Sequence, residues 1–154
     1  ETPRLRRPDR ELLASARDRA LEQLKDFGKP RGRWGLIHAD LHAGNVVRQG
    51  GRLGTIDFDD CGFGWYLYDI VVAAVLPVWR KPAYEGVMST FLTGYRRVLP
   101  FDEGDLAYAE AFVVARTFSM VGWLASRRDN PGLAKQIPWM IRRARTVLRP
   151  YLGR

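Results

Sequence analysis

A chain of 154 residues with 46% apolar content is the size of one ordinary domain and can bury a core of its own. No run approaches the roughly 18 uncharged apolar residues that cross a bilayer, and ETPRLRRPDR at the start has no apolar stretch after its arginines, so no membrane span and no signal peptide is expected. The lone Cys61 excludes a disulfide framework and makes a reducing, cytoplasmic setting the default, while a net charge of +8 raises anionic partners without naming one.

Taken in order, the chain first predicts an amphipathic helix from Asp9, a plausible N-cap, with Leu12, Leu13, Ala16, Ala20, Leu21, Leu24 and Phe27 on its apolar stripe and Gly28 and Pro30 as stop signals. Residues 34–37 and 45–48 are short apolar runs, Gln49, Gly50 and Gly51 form a turn, and 52–56 follows. This is the pattern of a β-hairpin preceded by a polar loop. Residues 65–79 are apolar nearly all round, as a buried helix is, with Pro77 ending or kinking it. Two helices are expected over 83–98 and 105–126, a turn at Asp129, Asn130, Pro131 and Gly132, and a last helix from Pro138 to Pro150. The expected class is α+β and predominantly helical, one domain over residues 1–154.

The polar loop, LIHADLHAGN at residues 36–45, carries the chemistry. If 45–48 pairs antiparallel with 52–57, Asn45 at the start of one arm lies beside Asp57 at the end of the other, with Asp40 close by. Carboxylate and amide oxygens side by side suit a hard cation, and a separate carboxylate suits the orientation and deprotonation of an attacking hydroxyl. The run His38, Ala39, Asp40, Leu41, His42, Ala43, Gly44, Asn45, then Asp57, Phe58, Asp59, matches the spacing of the protein-kinase catalytic loop and its metal-binding D-F-G.

HADLHAGN followed by TIDFDD and WYLYDIV resembles the signature of the aminoglycoside phosphotransferase and choline kinase-like family, over residues 34–74. The resemblance implies the C-terminal lobe of a protein-kinase-like fold, its small hairpin carrying the metal site. It implies ATP- and Mg²⁺-dependent transfer of the γ-phosphoryl group to a hydroxyl of a small molecule (an aminoglycoside, choline or a homoserine-like alcohol) or of a protein Ser/Thr. By the same carry-over Asp40 is the catalytic base, His38 orders the loop, Asn45 and Asp57 bind the metal and nucleotide, and Asp59 assists the metal. Asp69 either braces the catalytic loop or caps the apolar helix.

The chain departs from the family pattern in two ways. Ala39 replaces the usual glycine, and nothing resembles the ATP-binding N-terminal lobe: there is no Gly-rich loop after a strand, and Lys25, Lys29, Lys81 and Lys135 all lie in helical or turn contexts. With Glu1 in place of a methionine, this reads as a piece of a longer protein whose missing lobe is its first partner, and the piece alone is expected to have little or no kinase activity.

Two readings of other classes stand beside this one. Basic ends, with ten Lys/Arg against six Asp/Glu in residues 1–33 and eight against one in 127–154, allow a catalytically silent binding module for a partner or nucleic acid. No aromatic and arginine interleaving favours nucleic acid. H-x-D-x-H at His38, Asp40 and His42 allows a transition-metal hydrolase. Cys61 reads as a small buried residue, and Glu110, Arg116 and Trp123 as either acceptor-pocket or ordinary helix positions.

Overall fold

The computed structural model describes residues 5–75 and 81–154. It divides into two compact units, one of Glu1–Asp26 with Glu110–Arg154 and one of Phe27–Ala109.

The first unit is helical. Helix α1 spans Arg7–Phe27, beginning two residues before the expected N-cap, so that Asp9 lies inside the first turn. Its buried residues Leu12, Ala16 and Ala20 recur every fourth position, as one face of a 3.6-residue helix requires, while Leu21, expected on the stripe, is 58% exposed. One residue beyond Ala20 turns a side chain about 100° away from the buried face. This face packs with Val114 of α4 (Ala109–Ser126) and with Ala144, Leu148 and Tyr151 of α6 (Ile137–Tyr151). Between them the expected turn at Asn130 is instead the cap of a short helix, α5 (Pro131–Ala134), its side chain accepting from the Gly132 and Leu133 N–H groups.

Asp9 explains why its position matters. Its buried carboxylate takes both prongs of the Arg145 guanidinium, at 2.6 and 2.7 Å, across 136 residues of sequence. The Arg145 hydrogen bonds outweigh burial and hold the Asp9 pKa below the ordinary carboxylate value. A depressed folded pKa contributes stability that is present above the unfolded value and is lost as pH falls through the folded one. Arg145→Leu is therefore expected to lower the melting temperature at neutral pH and to narrow its difference from the parent in acid; an unchanged pH profile of melting would refute the assignment.

The second unit holds two antiparallel ribbons and two helices. Strands β2 (Val46–Gln49) and β3 (Arg52–Thr55) form the predicted hairpin, in register Val46 to Thr55 and Gln49 to Arg52. Gly50 and Gly51 turn it with φ of 53° and 80°, the two positive angles a two-residue hairpin loop demands. The other ribbon pairs β1 (Trp34–Ile37) with β4 (Gly62–Trp65), a strand the sequence reading does not predict and whose Trp65 it assigns to the following helix. Glycines make this pairing possible: a Cβ on Gly35 would run into the Tyr66 ring, and one on Gly64 into the Ile37 side chain. Trp65 closes the ribbon by donating Nε1–H to the Gly28 carbonyl at 2.5 Å and meeting Trp34 edge-on at 4.8 Å.

Helix α2 (Tyr66–Val75) is buried at Leu67, Ile70, Val71, Val72 and Ala74, the all-round burial that its composition predicts. The expected continuation to residue 79, and the effect of Pro77, lie outside the described residues. Helix α3 is Lys81–Tyr95, and residues 96–98, expected to be helical, form turns. The expected helix start at Asp105 is a 3₁₀ segment, Glu103–Tyr108, capped by Asp102 before α4 begins. No described helix is long and apolar enough to cross a membrane.

Candidate active site

The polar loop hangs between β1 and a 3₁₀ turn at Ala43–Asn45. Four sets of hydrogen bonds give it one shape. Asp69, in the first turn of α2, accepts the His38 N–H at Oδ2 (2.7 Å) and the Ala39 N–H at Oδ1 (2.8 Å). Asp69 is thus a brace across 30 residues, and not the N-cap of its helix. Burial raises its pKa, against the lowering effect of those two N–H groups. Ala39, where the family pattern has glycine, has φ of 65°, a left-handed conformation that costs an L-residue with a Cβ about 1–2 kcal/mol.

His38 is 7% exposed, and both ring nitrogens are engaged. Nε2 lies 3.0 Å from the Ile56 carbonyl, and Nδ1 receives the Asp40 N–H at 3.4 Å, an arrangement in which Nε2 carries the proton. Phe58 packs on the ring at 4.6 Å. The residue ties the loop to the far arm of the hairpin.

Asn45 is the centre of the site. Also 7% exposed, it donates Nδ2–H to the Asp40 carbonyl (3.0 Å) and to the Asp40 carboxylate Oδ2 (3.2 Å), which leaves its own Oδ1 as a free-standing acceptor type facing away from Asp40. Its backbone carbonyl accepts the Ile56 N–H at 3.0 Å, extending the hairpin by one rung. Asp57 follows that rung with φ of 67°, and the left-handed turn it makes ends the strand. Its side chain and that of Asp59 are exposed, Asp59 in the turn closed by the Cys61 N–H to Phe58 carbonyl bond. Cys61 is exposed too, which corrects its expected burial; it directly follows the exposed turn of Asp59 and Asp60.

The structure brings Asp40 and Asn45 into contact and sets Asp57 one residue from the Asn45 rung. The sequence reading gives His42 a place only in the H-x-D-x-H alternative or as a loop residue near the metal or substrate. Its Nδ1 accepts the Gly44 N–H at 2.9 Å, so Nε2 faces Asp40 Oδ2 at 3.5 Å with a proton to offer. The signal available was His42's position two residues after the loop aspartate. Among the described residues no three His, Cys, Asp or Glu side chains converge as a metal-binding group, and His38 has both nitrogens taken, so the H-x-D-x-H transition-metal set does not form. Glu110, Arg116 and Trp123 lie on α4, with Arg127 over the Trp123 ring at 4.3 Å. A cleft of about 620 Å³ in the second unit is lined by Arg33, Tyr66, Tyr95 and Asp105 among others, and by none of the loop residues.

Residues 1–111 match the phosphotransferase enzyme family. The chain is 31% identical over 120 residues to an amicoumacin kinase of Bacillus subtilis (strain 168), covering 73% of this chain and 36% of that protein. It is 28% identical over 104 residues to stress response kinase A of Salmonella typhi, covering 68% and 30% respectively. The solved structure of a microcompartment-associated aminopropanol kinase superposes with a TM-score of 0.80 at 29% identity, over 95% of this chain and 46% of that one. The chain therefore spans about a third of the length of the curated relatives it matches and under half of the solved one.

Proposed function

Because this chain belongs to the phosphotransferase enzyme family, we propose that it is the catalytic-loop half of an ATP-dependent kinase that phosphorylates an alcohol. The observation that carries the reading is the Asn45 amide on the Asp40 carboxylate at 3.2 Å, in a loop whose backbone Asp69 and His38 hold from two sides. Asp40 then accepts the proton of an acceptor hydroxyl, and Asn45 and His42 fix which carboxylate oxygen faces it. Holding a carboxylate in one orientation lowers the reorganisation needed at the moment of transfer.

The donor set fits a magnesium ion. Asn45 Oδ1 and the Asp57 carboxylate are hard oxygen donors, with Asp59 as a third candidate, and the exposure of both aspartates leaves room for phosphate and water ligands. When bound, the ion would neutralise charge on the phosphoryl oxygens. The His38 bond to Ile56 and the Asn45 bond to the same residue lock the strand that leads into Asp57.

The remaining parts of the site belong, in this reading, to an N-terminal ATP-binding lobe in a cytoplasmic protein. Exposed apolar side chains on the ribbons, Leu36, Leu53 and Phe63 at 68%, 73% and 76%, support a further covering element. An amino alcohol is the favoured acceptor, since a relative of this fold at 29% identity is an aminopropanol kinase. A protein Ser/Thr is the competing acceptor.

The test is a thermal-shift titration of the complete protein with MgATP. Stabilisation that rises with nucleotide, and that Asp57→Ala abolishes, is the expected result. A complete protein whose melting ignores MgATP would overturn phosphotransfer and favour a silent binding module.

A further inference from the structure

Outside the catalytic loop, the densest charge lies in the first unit, where residues 127–154 hold eight Lys/Arg against one acid. Two clefts there share a wall of Leu5, Ile137 and Ile141. The first, about 270 Å³, is lined by Arg6, Arg142, Arg145 and Asp9. The second, about 110 Å³, is lined by Val121, Leu124 and Met140, with Arg128.

The charges in the first cleft do not cancel. Asp9 is saturated by the two Arg145 bonds, which makes that pair neutral. Arg142, and Arg128 in the second cleft, are exposed and show no acidic partner among the described residues, while Arg6 is exposed and shares Asp9 electrostatically with Arg145, so that two guanidinium charges in the first cleft stay uncompensated. A guanidinium without a carboxylate, beside an apolar hollow, is half of a recognition pair.

We propose that this double cleft docks an acidic peptide segment, with carboxylates on Arg6 and Arg142 and a neighbouring apolar side chain in the smaller hollow. Charge complementarity selects this occupant. A second copy of the chain would bring a further +8 against the same surface. A single-stranded nucleic acid would stack its bases on aromatic faces, and each of the two exposed tryptophans of this unit already carries an arginine on one face, Trp123 Arg127 at 4.3 Å and Trp139 Arg143 at 5.5 Å. An apolar hollow also adds nothing for a phosphate backbone, whereas a peptide presents acid and hydrocarbon a few ångströms apart.

Fluorescence anisotropy of a short labelled Glu/Leu peptide on the chain measures this. The peptide is expected to bind, and the Arg6→Ser/Arg142→Ser double variant to weaken it at least about tenfold, the equivalent of about 1.4 kcal/mol. Ile141→Ser, in the shared wall, should weaken it as well, and so should replacing the peptide's Glu by Gln. Equal binding by the double variant, or by the Gln peptide, overturns the proposal. Inorganic phosphate, decanoate or a short oligonucleotide that binds more tightly than the peptide, with the same arginine dependence, overturns the peptide assignment. Should the double variant melt early, the peptide series on the parent chain decides alone.

Discussion

Asp40→Asn in the complete protein is expected to lower kcat for the proposed phosphotransfer by about 10²–10⁴-fold, the usual contribution of a positioned general base, while the melting temperature and the response to MgATP stay close to the parent's. The substitution keeps the side-chain shape and the backbone carbonyl that Asn45 binds at 3.0 Å, so the loop has no reason to rearrange. What it removes is the acceptor for a proton. It also turns the 3.2 Å contact with Asn45 Nδ2 from an amide on a carboxylate into an amide on an amide, which can still form one bond. Asp57→Ala should behave differently, losing the MgATP response itself. A variant at Asp40 that turns over at the parent's rate would remove the residue from the role, whatever Asp57 does.

Asp69→Ala should give the largest loss of stability of any single change in the second unit's polar network, about 2–4 kcal/mol by chemical denaturation of this chain, from two backbone N–H groups left without partners at about 1–2 kcal/mol each. Those groups belong to His38 and Ala39, and Ala39 is held at φ of 65°. Without the brace, the left-handed residue has nothing to offset its strain, and the loop relaxes around Asp40. Asp69→Asn should cost less, since its one remaining oxygen serves one of the two donors. The raised pKa of Asp69 sets the pH dependence: a raised folded pKa contributes stability below the unfolded value, and this contribution is lost as pH rises through the folded one. The penalty of Asp69→Ala should therefore be largest in acid and shrink as pH rises through the folded pKa, which lies above the ordinary carboxylate value. A loss below about 0.5 kcal/mol, the range of an ordinary surface change, would show that the loop keeps its shape without the brace.

Several elements were legible before any coordinates. Helix α1 follows from apolar residues at helical spacing, the β2–β3 hairpin from two short runs flanking Gly50 and Gly51, and α2 from a stretch too apolar to lie on a surface. The loop residues were legible as positions: His38, Asp40, Asn45 and Asp57 stand at the spacing of a kinase-like catalytic loop, and the structure puts Asp40 and Asn45 in contact. Strand β4 was not, because Gly62 and Gly64 have low intrinsic strand preference and leave Phe63 isolated, and the strand pairs only with β1, nearly thirty residues earlier. The helix over 105–126 began late because Asp102 caps a 3₁₀ turn that periodicity does not distinguish from an α-helix.

By itself, then, the sequence determined the helical character, the hairpin with its turn, and the order of acid, amide and acid along the chain, all of which depend on neighbours two to seventeen residues apart. Tertiary structure alone decided that Asp69 is a brace, that both His38 nitrogens are engaged and so unavailable to a metal, that His42 faces Asp40, and that Asp9 answers Arg145 at a separation of 136 residues. The physical reason is range: periodicity and propensity report the backbone's local preferences, whereas a carboxylate's partner is set by which elements the packed core brings together.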